Sequence, residues 1–109
     1  MSALGFNIRT DGDRAVVEVA GEVDMATAPE LLDAVVAMHN ASGQDVTVDL
    51  RGVTFMDSRG VATLVMAHRH LAANHCRLRI AHARPGVAKV LDVTGVSAYL
   101  TLCEEPPSA

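Results

Sequence analysis

Two kinds of hydrophobic spacing alternate along this chain, and that alternation restricts the fold more than any other feature. Val46, Val48 and Leu50 are separated by Thr47 and Asp49, the period-2 signature of a strand with one buried face. Leu78 and Ile80 repeat it around Arg79, and Phe6, Ile8, Val17 and Val19 do so on either side of Asp11-Gly12-Asp13, a turn sequence that predicts an N-terminal β-hairpin. Between these stretches the spacing becomes helical. Leu31, Leu32, Val35, Val36 and Met38 follow a capping-box pair, Thr27 and Glu30, and predict a helix from about Ala28 to Asn40, stopped by Ser42-Gly43. Val61, Leu64, Val65, His68, Leu71 and Ala72 form the stripe of a second helix that begins at Asp57 or Ser58. Pro85 opens a third, carrying Val87, Val90 and Leu91 and closed by Gly95.

The resulting order is hairpin, helix, strand, helix, strand, helix, with a last short strand expected within Ser97 to Leu102. It requires an α/β fold with a mixed sheet of four to five strands, antiparallel at the hairpin and parallel across right-handed crossovers. Arg51 and Gly52 are expected to end the central strand. A parallel strand covered on both faces would be a continuous apolar run, yet Thr47, Asp49, Arg77 and Arg79 place polar groups on the second face. The crossover helices are therefore expected mainly on one face, with sequential strand order. One domain over residues 1–103 accounts for the pattern, and 104–109, Glu-Glu-Pro-Pro-Ser-Ala, is too poor in apolar residues to order itself.

Composition narrows the function. Nine basic against thirteen acidic residues leave a net charge of −4, unlike the basic footprint of a dedicated nucleic-acid binder. The charge is uneven: residues 1–50 hold Arg9 and Arg14 against nine acids, whereas 51–109 hold seven bases against four. No run approaches the roughly 20 apolar residues of a membrane span, and Cys76 and Cys103 form no CxxC pair, so a reduced, cytoplasmic protein is expected. The phosphate-cradling, HExxH and GxSxG signatures are missing. His68, His70, His75 and Cys76 cluster in sequence, but His68 and His70 lie about 200° apart around a helix. A solvated helix end easing the C-terminal dipole explains them better than a metal site.

The segment Val53-Thr54-Phe55-Met56-Asp57-Ser58-Arg59-Gly60 sets a serine beside an aspartate where strand gives way to helix. Either residue is a favoured cap, with Phe55 and Met56 stapling the loop to the core. The same geometry suits a phosphoacceptor, because a hydroxyl at a helix start is displayed to solvent and the dipole there tolerates negative charge. A phosphate would bring about −1.5 to −2 charge and alter what docks. Gly60 disfavours a helix by about 1 kcal/mol relative to Ala, which points to a close approach, either by a partner or by the domain's own sheet.

Over nearly its whole length the chain resembles the STAS domains, most closely the stand-alone bacterial anti-sigma factor antagonists. The resemblance rests on Gly21-Glu22-Val23-Asp24, on Val46 to Leu50 leading to Phe55-Met56-Asp57-Ser58-Arg59-Gly60, and on Val87 to Gly95. It implies a non-enzymatic switch without cofactor or metal. Such a domain binds an anti-sigma factor serine kinase, frees a sigma factor, and lets go when the kinase phosphorylates it; a phosphatase resets it. By resemblance Ser58 is the phosphoacceptor, and Asp24, Asp57, Arg59 and Gly60 meet the partner with it. For Asp24 a solvated position ahead of Thr27 is the alternative. The resemblance implies neither nucleic acid nor membrane as a partner, and the chain is expected to be a monomer or weak dimer. Arg59 stands where many relatives carry a small residue, and Glu-Glu-Pro-Pro leaves no room for the final helix the family usually adds. The competing expectation is a ligand-sensing STAS module that binds a nucleotide, lipid or small anion without partner switching.

Overall fold

A computed structural model of the chain describes residues 4–12, 14–95 and 101–103. The elements run β1 (Gly5–Asp11), β2 (Arg14–Val23), α1 (Ala28–Ser42), β3 (Asp45–Met56), α2 (Ser58–Ala72), β4 (Leu78–Ala81), α3 (Pro85–Val93) and β5 (Thr101–Cys103). They form a five-stranded sheet in sequential order, with β1 antiparallel to β2 and every later neighbour parallel. The expected final strand lies at Thr101–Cys103; the rest of that segment, 96–100, and the 104–109 tail fall outside the described residues.

The period-2 pattern buries one face of β2, β3 and β4, whereas Phe6 and Ile8 of the edge strand β1 stay 36% and 49% exposed. Val17, Val19, Val46, Val48, Leu50, Leu78 and Ile80 are all buried and join Leu31 and Val35 of α1, Leu64 and Leu71 of α2, and Val87 and Leu91 of α3 in one core. Each fully buried side chain of this kind contributes roughly 1.5–3 kcal/mol relative to exposure. One shared core, together with the contacts of α2 with both α1 and α3, gathers the helices on one side of the sheet. Thr47 and Asp49 sit on the opposite face as expected, but they are only 3% and 7% exposed, so that face is polar without being open at its centre. The α2 stripe also differs in detail: Thr63 and Ala67 are buried within it, whereas Ala72 is exposed.

Arg51 and Gly52 do not end β3, which continues to Met56. Its partner β2 has 10 residues to the 12 of β3, and the two extra residues are bulges. Glu18 pairs with Asp49 and Ala20 with Gly52, so Leu50 and Arg51 share Val19; Gly21 pairs with Val53 and Glu22 with Phe55, so Thr54 is the second surplus residue. Gly52 makes the first bulge possible. A Cβ there would lie 2.9 Å from Ala20 Cβ and 3.0 Å from the Val19 carbonyl oxygen, closer than any side chain could sit. The bulges rephase the strand so that Leu50, Val53 and Met56 all face the core.

Candidate functional site

The long β2–β3 pairing brings two strand-to-helix junctions side by side. Val23 and Met56 are partners at the ends of their strands, and the Asp57 N–H donates to the Val23 carbonyl at 3.2 Å. Asp24 and Asp57, which follow them, therefore start neighbouring loops about one strand spacing, roughly 4.8 Å, apart.

At the second junction Asp57 caps α2. Its backbone is extended, and its Oδ1 accepts from the Arg59 N–H at 2.9 Å and the Gly60 N–H at 3.3 Å. The cap is thus Asp57, and Ser58 is the first helical residue, exposed and outside the capping hydrogen bonds. Arg59 is exposed beside it. Gly60 is buried, and a Cβ on it would fall 2.7 Å from Met56 Cγ and 2.8 Å from Val23 Cγ1. Of the two close approaches open to Gly60, packing of α2 on its own sheet is the one observed.

At the first junction the expected capping box is not formed. Thr27 occupies the N-cap without a side-chain capping bond. Its hydroxyl turns inward, donating to the Glu22 carbonyl at 2.7 Å and accepting from the Asp24 N–H at 3.0 Å, while Glu30 Oε1 accepts from the Leu4 N–H at 3.1 Å. Asp24 organises this loop in place of Thr27: its Oδ1 accepts from the N–H groups of Ala26 and Thr27 at 2.9 and 3.1 Å. It is half-buried, so it is neither a freely solvated acid nor a fully displayed one.

Around these residues lies exposed apolar surface that sequence reasoning missed. Met25 is 66% exposed between Asp24 and Thr27, and Phe55 is 49% exposed, pairing with Glu22 at the sheet end. Phe55 therefore does not staple the loop to the core; only Met56 does. Ser58, Ala62 and Met66 follow one another at a spacing of four on the outer side of α2, all exposed. The one available signal was that Met25 and Met66 fit no buried periodicity. Such a surface, apolar with a displayed hydroxyl and a cation, suits protein docking better than catalysis.

The histidines belong elsewhere. His39, which the helical spacing did not single out, is buried with Nδ1 2.9 Å from the Gln44 carbonyl oxygen, and its ring meets His70 edge-on at 5.6 Å. His70 is also 3.2 Å from Asn40 Oδ1, so it braces the α1–α2 contact. No helix among the described residues is long and apolar enough to cross a membrane.

Comparison with known proteins agrees with this architecture. The sequence model of the Mlab, STAS domain family matches residues 6–102. The anti-sigma-B factor antagonist of Staphylococcus epidermidis is 34% identical over 101 residues, covering 93% of this chain and 94% of the relative. Among solved structures, an anti-sigma factor antagonist from Mycobacterium paratuberculosis superposes with a TM-score of 0.85 at 25% identity, over 96% of this chain and 89% of that one. The unphosphorylated anti-sigma factor antagonist SpoIIAA shares the fold at a TM-score of 0.75 and 20% identity, over 93% and 90% of the two chains. With the family match spanning nearly every described element, from the β1 strand to β5, this chain belongs to the STAS domain family.

Proposed function

We infer that the chain is an anti-sigma factor antagonist that works by partner switching and performs no reaction of its own. Unphosphorylated, it docks an anti-sigma factor serine kinase through Asp24, Ser58, Arg59 and the apolar surface of Met25, Phe55 and Met66. The kinase transfers a phosphoryl group to Ser58, the complex separates, and a phosphatase restores the hydroxyl. Asp57 and Gly60 act one step back: Asp57 fixes the helix start, and Gly60 lets that helix settle against the sheet. The name of the staphylococcal relative supports the class of partner.

The observation that carries the reading is the exposed Ser58 at the first turn of a helix whose N–H groups are already served by Asp57. Because Ser58 holds nothing together, a phosphate there leaves the fold intact. Beside Asp57 and among the exposed apolar side chains of Ala62 and Met66, a further charge of about −1.5 to −2 acts by repulsion and opposes desolvation on docking.

The test is binding to the cognate kinase with and without ATP, followed by intact-mass measurement. Ser58→Ala is expected to stay bound in the presence of ATP and gain no phosphate, and Ser58→Glu to bind at least about tenfold more weakly, roughly 1.4 kcal/mol. A phosphate mapped to Thr54 in place of Ser58 would overturn the assignment; Thr63, only 6% exposed, offers the kinase no surface.

A further inference from the structure

The helix-free face of the sheet holds a second feature, independent of Ser58. Asn7, Glu18 and Asp49 are successive partners across β1, β2 and β3 on the face opposite Val17 and Val48. Where that row meets the first bulge, a shallow cavity of about 520 Å³ opens, bordered also by Phe6, Arg51 and Arg84. Its volume lies in the range of small-molecule sites, about 300–1,000 Å³. The floor is low because three small residues make it, Gly5, Ala20 and Gly52.

The charges in the cavity are arranged for an anion. Arg84, in the segment entering α3, donates from Nε to the Arg51 carbonyl oxygen at 2.7 Å. That bond holds the guanidinium in place and leaves both of its terminal nitrogens to donate elsewhere. Arg51 adds a second exposed guanidinium. The two carboxylates of the wall are already engaged. Glu18 accepts from Asn7 at 2.9 Å and from Arg9 at 3.3 Å, and Asp49 Oδ1 accepts from the Arg51 N–H at 2.9 Å. The Asn7 hydrogen bond, aided by Arg9 and by the field of Arg51, lowers the pKa of Glu18 against the opposing effect of burial.

We propose that this cavity binds a flat aromatic acid, its ring lying over the low floor of Gly5, Ala20 and Gly52 and its anionic group taken by Arg51 and Arg84. A guanidinium accepts a carboxylate or a phosphate monoester with the same fork, so the shared chemistry is an aryl group bearing one such anion.

The experiment is an amide and arginine Nε–H NMR titration of the full chain with 2-naphthoate and with phenyl phosphate, each to about 5 mM, a concentration that detects millimolar dissociation constants. Inorganic phosphate and 2-naphthol serve as controls. Shifts confined to Asn7, Glu18, Arg51 and the Arg84 Nε–H support the proposal, and the stronger of the two aryl anions identifies the acid. Gly5→Leu blocks the cavity without disturbing the strand, since a Cβ at Gly5 has no neighbour nearer than 3.9 Å; it should abolish binding while the melting temperature holds. Arg84→Gln should weaken binding at least about tenfold. No shift with either aryl anion, undiminished binding by Gly5→Leu, or equal binding of inorganic phosphate would each overturn the proposal.

Discussion

The two strand-to-helix junctions start from the same ingredients and use them in opposite ways. Each follows a buried strand terminus, Val23 or Met56, with an aspartate and then a hydroxyl residue near the helix start. At the first, the loop is longer by three residues, Met25, Ala26 and Thr27, and Thr27 is 1% exposed with its hydroxyl bonded on both sides. At the second, the aspartate caps at once and the Ser58 hydroxyl is left outside. The identity of the residue does not decide whether a hydroxyl is structural or available; its distance from the capping carboxylate does.

That contrast can be broken or sharpened by substitution. The largest effect is expected at Gly60, where valine would drive its side chain into Met56 and Val23; Gly60→Val should lose about 3 kcal/mol by urea unfolding, the upper end for overpacked cores. Thr27→Val keeps the shape but strips the Glu22 carbonyl and the Asp24 N–H of their partner, and should lose about 2 kcal/mol in the same assay. Asp57→Ala removes the cap of α2 and should lose about 1 kcal/mol, with faster amide exchange at Arg59 and Gly60. Ser58→Ala should stay within about 0.5 kcal/mol of the natural chain. A loss as large as that of Thr27→Val would erase the difference between the junctions and make Ser58 structural.

Much of this was legible from residue spacing. The alternation in Val46 to Leu50 and in Leu78 to Ala81 gave the strands, and polar residues on the second face put the helices on the other side. Ser58 could be singled out because a strand end, an aspartate and a helix stripe are all local signals. What could not be read depends on distant partners. The bulge at Gly52 exists because Ala20, 32 positions away, crosses it closely. Thr27 looks like a cap until the Glu22 carbonyl beneath it is in place, and the cavity needs Arg84 to come over from another strand end. Met25 and Phe55 are apolar residues without a core to enter, and spacing alone carries no instruction for them.

The two surplus residues of β3 work as a pair. Each reverses which side of the sheet the following residues take, so one alone would turn Met56 outward, while both together return it to the core. Closing one bulge with the chain length unchanged would put Phe55 in the inward position and misaim the start of α2, whereas deleting Thr54 itself would keep Phe55 opposite Glu22 and Met56 opposite Val23. The orientation of the serine is decided several residues upstream, by an even count of hiccups in a strand.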